Sequence, residues 1–239
     1  MHTTAMFTWN TQGNFTEDDK FDTVRTLFGR GRSVGFIQEG GVGKRGRHGN
    51  IVAYGGTGVG AFNERCTNYI LVDATYEKFV SVENITLQDG FARTVVGGGE
   101  AGRAPAAVSI NDELFISWHS LAGRANEDTA SLFNALENND QYKKYKTIVI
   151  GGDFNTAPDD IEAMIVRRAA VRASRNEWFY YIRNSGAVTY PHRQKELDFF
   201  VVMSKTDLTA HGMLANFKPV ERVQVVPSDH HPVCTKLFT

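Results

Sequence analysis

The chain has 239 residues, of which 41% are hydrophobic, 22% charged and 11% aromatic. This composition is typical of globular proteins and excludes the collagen, coiled-coil and disordered classes. The 26 Lys and Arg residues nearly balance the 27 Asp and Glu residues, which gives a formal charge of -1. A globally basic protein that wraps nucleic acid is therefore excluded, although a local basic groove is not.

No apolar run approaches the ~20 residues that a membrane helix needs. Residues 1–5 show neither a charged segment nor a long apolar run, so no signal peptide is visible. The two cysteines, Cys66 and Cys234, are too few for a disulfide scaffold. We expect two buried thiols, with a single bridge as the alternative.

Strand and helix patterns alternate from the start of the chain. Residues 3–10 are β-branched and aromatic and predict a strand, and residues 33–38 predict a second, buried strand. Between them, apolar residues within 21–28 fall on one face of a helix. Thr16 followed by Asp19 predicts a capping pair at the start of that helix.

The later elements continue the alternation. Helices are predicted at residues 126–145 and 159–172, and strands at residues 147–150, 197–203 and 231–238. A Gly-Gly turn is predicted directly after residue 150. Strands outnumber helices and no linker rich in Pro or Ser divides the chain. We therefore expect one mixed α/β domain over residues 1–239, with paired sheets covered by helices.

Two basic stretches stand out from this background. Residues 40–60 are rich in glycine and carry four basic side chains. They are interpreted either as a mobile basic loop near a phosphate-bearing ligand or as a solvated surface loop. Residues 167–195 interleave basic residues with aromatic ones, a combination that suits nucleic acid, although most of these rings are expected in the core.

Polar residues recur where predicted strands begin or end. They are Asn10, Glu39, His119, Asp153, Asn155, Asp198, Asp229 and His230. Any one of them is ordinarily a turn residue or a structural histidine. Open α/β proteins, however, build their sites just outside one end of a sheet, so the repetition predicts one shared site.

The chemistry of this set follows from its residue types. Glu39, helped by Asp153, Asp229 or Asn10, offers the hard oxygen ligands that suit Mg²⁺. Two histidines and a further carboxylate remain for proton transfer and for charge in the transition state. Amide side chains can hydrogen-bond phosphate oxygens without repelling an anionic substrate. The set therefore predicts hydrolysis of a phosphate ester by metal-positioned water.

Six motifs occur in the order found in the endonuclease/exonuclease/phosphatase superfamily, which includes pancreatic-type deoxyribonuclease I. They are TWNTQG, IQE, WHS, GGDFN, LDFF and SDHHPV, and the chain resembles the superfamily from Phe7 to about Val233. WNTQG, QEGG and WHSLAG followed by EDTA resemble the B subunits of cytolethal distending toxins rather than the pancreatic enzyme. The resemblance implies an α/β (α+β) fold of the DNase I type: a four-layer sandwich in which two mixed β-sheets pack face to face and are flanked by helices.

The resemblance also implies a metal site. Glu39 would be the main Mg²⁺ ligand, with Mn²⁺ and Ca²⁺ as alternative ions. Asn10 and Asp229 would lie near the metal or the scissile phosphate. Asn10 and Arg103 would contact the substrate.

The implied catalytic residues are two histidines and their partners. His119 would protonate the leaving oxygen or stabilise the pentavalent phosphate. His230, positioned by a carboxylate, would act as a general base or stabilise phosphate. Asp153 and Asn155 would hold phosphate and orient a histidine, and Asp198 would share the activation of water.

The implied function is a Mg²⁺-dependent phosphodiesterase that hydrolyses DNA. As a toxin-like catalytic subunit it would be secreted, carried by delivery subunits and active in the nucleus of the target cell. A phosphoinositide or phosphomonoester phosphatase of the same fold is the first alternative. The second is a binding subunit without catalysis, which the complete set of metal and proton-transfer residues disfavours.

Overall fold

The computed structural model describes residues 3–56, 67–85, 104–171, 177–209, 221–223 and 228–238. The helices are α1 (Asp18–Gly29), α2 (Ala125–Asn138) and α3 (Pro158–Val171). The strands are β1 (Thr3–Asn10), β2 (Val34–Gln38), β3 (Gly46–His48), β4 (Ile51–Gly55), β5 (Tyr69–Asp73), β6 (Val80–Glu83), β7 (Ala106–Ile110), β8 (Glu113–His119), β9 (Thr147–Asp153), β10 (Phe179–Arg183), β11 (Asp198–Ser204), β12 (Glu221–Arg222) and β13 (Val233–Phe238). None of the described helices is long and apolar enough to cross a membrane.

The described strands form two mixed sheets. The first has the order β12-β13-β1-β2-β5-β4-β3, and the second has the order β10-β11-β9-β8-β7-β6. In each sheet one central pair is parallel: β1 with β2, and β8 with β9. The carboxyl ends of both strands of a parallel pair lie at the same edge, so each sheet brings two strand ends together there.

Apolar residues on alternate sides of the strands account for the layers. In β11, Phe200 and Val202 belong to the cluster between the sheets, whereas Phe199 and Val201 pack in the cluster on the opposite face. A strand that is apolar on both faces is covered on both faces. Continuous apolar runs such as FFVVM therefore place the second sheet in the interior.

The helices complete a four-layer arrangement. Helix α1 packs Val24 and Leu27 against the outer face of the first sheet, in one cluster with Phe7 and Trp9. Helix α2, through Leu132 and its neighbours, covers the outer face of the second sheet together with α3. The structure thus confirms the predicted α/β sandwich of two mixed sheets flanked by helices.

The predicted Gly-Gly turn after residue 150 is wrong, because β9 runs on through Gly151 and Gly152 to Asp153. Both glycines allow neighbouring residues to pack directly against the backbone of β9. A Cβ built on Gly152 would lie 2.0 Å from the Trp118 carbonyl oxygen, and one on Gly151 would lie 2.8 Å from the Phe36 ring. The strand therefore needs two residues without side chains where its neighbours approach most closely.

Two further local predictions fail. Thr16 does not cap α1, because its hydroxyl donates a 2.7 Å hydrogen bond to the side chain of Asn14 in a turn before the helix. Such local side-chain bonds compete with helix caps. Residues 40–60, predicted as a loop, contain the hairpin of β3 and β4 at the edge of the first sheet. Its Arg47 forms an ion pair with Glu77, and His48 packs against the ring of Phe15.

Candidate active site

Strand ends bring the predicted polar residues to one edge of the sandwich. His119 ends β8, Asp153 ends β9 and Asp198 begins the antiparallel β11, and the three are register partners in one row. In the facing sheet, Asn10 ends β1 beside Gln38, the last residue of β2. Strand lengths and register therefore place residues that are far apart in the sequence within one pocket.

The two sheets are joined by polar contacts just below this edge. Gln38 Nε2 donates a 2.9 Å hydrogen bond to Ser117 Oγ, and both side chains are fully buried. Asn10 Nδ2 donates a 3.0 Å hydrogen bond to Asp153 Oδ2. Buried polar groups that are hydrogen-bonded to each other fix the relative position of the elements that carry them. The distance between the two halves of the pocket is therefore set by the core.

Asp153 lies at the centre of the pocket, between the two histidines. Its Oδ2 atom lies 3.5 Å from Nε2 of His119 and 3.8 Å from Nε2 of His230. His119 Nε2 is also 3.7 Å from Oε1 of Glu39. His230 Nε2 is 3.8 Å from Oδ1 of Asp229. These contacts form a continuous path from Glu39 to Asp229 across the pocket.

His230 is held from three directions. Its Nδ1 atom donates a 2.7 Å hydrogen bond to Oδ2 of Asp198. Its carbonyl oxygen accepts a 3.0 Å hydrogen bond from Nε1 of Trp9. The ring of Tyr190 stacks on the imidazole, with 4.6 Å between ring centroids and 23° between planes. Only the Nε2 edge of the imidazole therefore faces the pocket.

Glu39 and Asn155 both have left-handed backbone conformations, with φ of 52° and 50°. Such conformations are costly for residues other than glycine and are found at sites that the surrounding structure holds in place. Glu39 O accepts a 2.7 Å hydrogen bond from the Gly13 amide. Asn155 donates from its backbone to Asp153 Oδ1 and from Nδ2 to the carbonyl of Ser120, each at 2.9 Å. Asn155 thus orients the central carboxylate and the turn that follows His119.

Burial and charge shift two pKa values in the pocket. Burial raises the pKa of Asp153 to about 6, because desolvation disfavours its carboxylate form; the nearby Asp198 acts in the same direction, while His230 opposes it. Burial by itself would lower the pKa of His230. The charge and hydrogen bond of Asp198 outweigh burial and raise the His230 pKa to about 10. His230 is therefore an imidazolium at neutral pH.

Oxygen donors in the pocket fit a hard divalent cation. Glu39 and Asp229 contribute carboxylates, and Asp229 Oδ1 is buried and accepts no hydrogen bond from the described residues. Ligand atoms of Asp153, Asp198 and His230 also lie within 4.8 Å of one another. Asp198 and His230, however, are already bonded to each other, and an imidazolium cannot bind a cation. Glu39, Asp229 and Asn10 are therefore the better set for Mg²⁺.

A cavity of about 290 Å³ collects these residues. Seven of the nine predicted site residues line it: Asn10, Glu39, His119, Asp153, Asn155, Asp229 and His230. The eighth, Asp198, is buried behind His230. The ninth, Arg103, lies outside the described residues, as does Cys66, while Cys234 is a buried thiol.

The cavity also contains residues that the sequence did not single out as site residues. They include Gln12, Tyr190, Arg193 and Lys195. The last three belong to the basic and aromatic stretch at 167–195. The composition of that stretch was the feature of the sequence that pointed to nucleic-acid binding. Elsewhere in that stretch Trp178 lies in the core, and Arg168 is paired with Glu137 at 2.6 Å. Of the described residues in the stretch, those that line the cavity lie at its carboxyl-terminal end.

No protein-family model and no curated protein sequence matches this chain. Solved structures do match over nearly the whole chain. The cytolethal distending toxin of Haemophilus ducreyi is 18% identical, with 97% of each chain covered and a TM-score of 0.65. An endonuclease/exonuclease/phosphatase from Bacteroides vulgatus is 13% identical, with 99% of this chain and 98% of that one covered and a TM-score of 0.60.

A third match is D. rerio TDP2 in complex with a single-stranded DNA product, which is 12% identical. All of both chains is covered, with a TM-score of 0.59. Identities this low establish similarity of fold. Together with the layers and sheet order described above, they show that this chain has the DNase I-like fold of the endonuclease/exonuclease/phosphatase proteins.

Proposed function

We propose that the protein is a Mg²⁺-dependent phosphodiesterase that hydrolyses DNA. The observation that carries the proposal is the convergence of two histidines on one central carboxylate, with Glu39 and Asp229 at either side of the same cavity. Acids and bases at these distances, next to hard oxygen donors, suit attack of water on phosphorus. The TDP2 complex with DNA shows that a chain of this fold takes a nucleic-acid strand.

Glu39, Asp229 and Asn10 would hold the metal ion. A bound Mg²⁺ supplies a Lewis acid that neutralises charge on the phosphoryl oxygens. The Asn10 side chain accepts from the Gln12 amide and donates to Asp153, both at 3.0 Å. Asn10 therefore links the metal side of the cavity to the central carboxylate.

The two histidines take different roles in this proposal. The His230 imidazolium, held by Asp198, donates a hydrogen bond from Nε2 to a non-bridging phosphate oxygen. It stabilises the negative charge that builds up at phosphorus. His119, buried between Glu39 and Asp153, delivers a proton to the leaving oxygen, and the attacking water gives its proton to the Asp153 carboxylate at the centre of the cavity. Of the two roles open for His230 from the sequence, its raised pKa favours phosphate stabilisation over general base.

A plasmid-nicking assay tests the proposal. Wild-type protein with Mg²⁺ is expected to convert supercoiled plasmid to the nicked form, and EDTA to stop the reaction. His119→Ala is expected to lower the rate by about 10²- to 10⁴-fold, since it removes a proton donor. The matched control is His48→Ala, because His48 lies in β3 at the edge of the first sheet and does not line the cavity. Folded wild-type protein that leaves plasmid intact with Mg²⁺, Mn²⁺ and Ca²⁺ would refute the proposal.

We further propose that the protein is the catalytic subunit of a secreted toxin that acts in the nucleus of its target cell with the help of delivery subunits. The support is the WNTQG, QEGG and WHSLAG motifs, together with the fold shared with the Haemophilus ducreyi toxin. Microinjection of wild-type protein into cultured cells is expected to produce nuclear DNA breaks, and His119→Ala none. Equal numbers of breaks with both proteins would count against this role.

A further inference from the structure

A short loop carries two cations to the mouth of the cavity. It runs from Tyr190 to Lys195, whose backbones bond in both directions: Tyr190 N to Lys195 O at 2.9 Å and Lys195 N to Tyr190 O at 3.3 Å. A 3-10 turn at Pro191–Arg193 and a left-handed Gln194, with φ of 51°, close the loop. The loop is therefore a defined hairpin, and Arg193 and Lys195 project from it.

Hydrogen bonds and ring stacking hold this loop against Asp198 and His230, which we call the catalytic pair. Thr189 Oγ1 accepts hydrogen bonds from the amides of Leu197 and Asp198 at 2.9 and 3.1 Å. The Thr189 carbonyl accepts a 2.9 Å hydrogen bond from the amide of His231. Tyr190 then stacks on His230. The position of the two cations is thus set by the same elements that position Asp198 and His230.

The lining of the cavity carries charges of both signs. Three carboxylates, Glu39, Asp153 and Asp229, belong to it, and all three are buried or half-buried. Among the described residues that line the cavity, the arginine is Arg193 and the lysine is Lys195, and both side chains are exposed. Neither forms an ion pair with another described residue. Two exposed cations without a counter-ion in the described part of the chain, next to the proposed phosphate-hydrolysing centre, attract a polyanion.

We infer that Arg193 and Lys195 form a subsite for a second phosphate, the one that neighbours the scissile phosphate in a polynucleotide strand. This inference rests on the proposed function and names its substrate class. The two histidines and the metal ligands serve the scissile phosphate inside the cavity, whereas the two cations lie at its open rim. A strand that leaves the cavity over Tyr190 would bring its next phosphate to these side chains, which can bind it as charged donors.

Two substrates separate this subsite from the catalytic centre. A single-stranded DNA oligonucleotide has neighbouring phosphates, whereas bis(p-nitrophenyl) phosphate is a diester with one phosphate. For a protein carrying both Arg193→Ala and Lys195→Ala, we expect the KM for the oligonucleotide to rise about tenfold or more, with kcat within about twofold. The rise in KM for the small diester should be at least about fivefold smaller.

Salt dependence gives an independent readout. Each phosphate neutralised in a single strand contributes about 0.7 to the slope of log affinity against log salt concentration. Since both cations serve one phosphate, their loss should flatten the slope for the oligonucleotide by about 0.7. The matched control carries Lys78→Ala and Arg167→Ala, which remove one exposed lysine and one exposed arginine that do not line the cavity. This control should keep the wild-type KM and slope.

The outcomes are distinct. Equal losses on the two substrates, or no change in KM and salt slope, would overturn the subsite while leaving the nuclease proposal intact. Wild-type protein that cleaves neither substrate and also leaves plasmid intact would overturn both proposals. Wild-type protein that releases phosphate from inositol phospholipids but leaves the oligonucleotide intact would reject the polynucleotide strand as the ligand. Unchanged melting temperatures in both double variants would show that these comparisons report binding rather than unfolding.

Discussion

Nδ1 of His230 donates a 2.7 Å hydrogen bond to Oδ2 of Asp198, two residues that are 32 positions apart in the sequence and nearly fully buried. A carboxylate can only accept in this bond, so the proton lies on Nδ1. Asp198 begins a strand of the second sheet, whereas His230 precedes a strand of the first. The bond thus spans the two sheets and keeps a positive charge beside the pocket.

Replacement of Asp198 by Asn should lower the pKa of His230. The carboxylate is what raises this pKa from the ordinary 6.5 to about 10 against the effect of burial. Since the folded-state value is the higher one, the associated stabilisation is complete below pH 6.5 and is lost as the pH rises through about 10. The stability of the wild type should therefore fall over that window more than that of Asp198→Asn.

Two measurements check this prediction. Titration of the imidazole Cε1–H signals by NMR gives the pKa directly, and urea unfolding at several pH values gives the stability. His230→Gln identifies the signal and serves as the control without an ionisable group. An equal His230 pKa in the wild type and in Asp198→Asn would contradict the assignment.

Replacement of Glu39 by Gln should weaken the binding of Mg²⁺ by about tenfold or more, because fewer charged oxygen ligands lower the affinity for hard cations. The Glu39 side chain is 20% exposed and reaches the cavity from a strained backbone, so the change leaves the core intact. Isothermal titration calorimetry with Mg²⁺ measures the affinity. Asp112→Asn, which removes a carboxylate from the turn between β7 and β8, should bind as the wild type does. Equal affinities for wild type and Glu39→Gln would rule out this ligand.

Gly152→Ala should destabilise the protein by about 3 kcal/mol or more, as expected when extra atoms are forced into a packed core. The new Cβ would meet the Trp118 carbonyl oxygen at 2.0 Å, and backbone cannot move aside as a flexible side chain can. Gly29→Ala is the control, because nothing lies within 4 Å of its Cβ and alanine favours a helix by up to about 1 kcal/mol. Denaturant unfolding compares the two. Equal stability of both variants would show that the close approach in β9 is not rigid.

Cys234 should be unreactive in the native protein. Burial raises the pKa of this thiol to about 11, so the reactive thiolate is scarce at neutral pH. A Cys66→Ser protein, which leaves one thiol, should react slowly with Ellman's reagent until urea is added and then yield one thiol per chain. Rapid reaction without urea would show that β13 opens readily.

Much of the fold could be predicted from local sequence patterns. Continuous apolar runs such as residues 197–203 identified buried strands, and the apolar face within residues 21–28 identified α1. Local rules failed where tertiary contacts override them. A Gly-Gly pair is ordinarily a turn, but here Trp118 and Phe36 approach β9 so closely that glycine is required within the strand. The hydroxyl of Thr16 donates its hydrogen bond to Asn14 instead of capping the helix.

The residues around the catalytic pair show the same division. Asp198 and His230 could be identified because each lies next to an apolar strand. Tyr190 and Lys195 could not, because their place at the cavity depends on a hairpin whose partners are backbone amides and carbonyls. Backbone hydrogen bonds of this kind leave little trace in residue types.

By itself, the sequence determined which chemical groups are available and that they follow or precede strands, because apolar periodicity marks strand ends along the chain. Only the tertiary structure decided that Glu39, His119, Asp153 and His230 are neighbours, since sheet order and register bring together segments that are distant in the chain. It also decided the pKa values of Asp153 and His230. Burial raises the pKa of Asp153, whereas the carboxylate of Asp198 raises the pKa of His230 against the effect of burial. Neither the burial nor the contact with Asp198 exists before the chain folds.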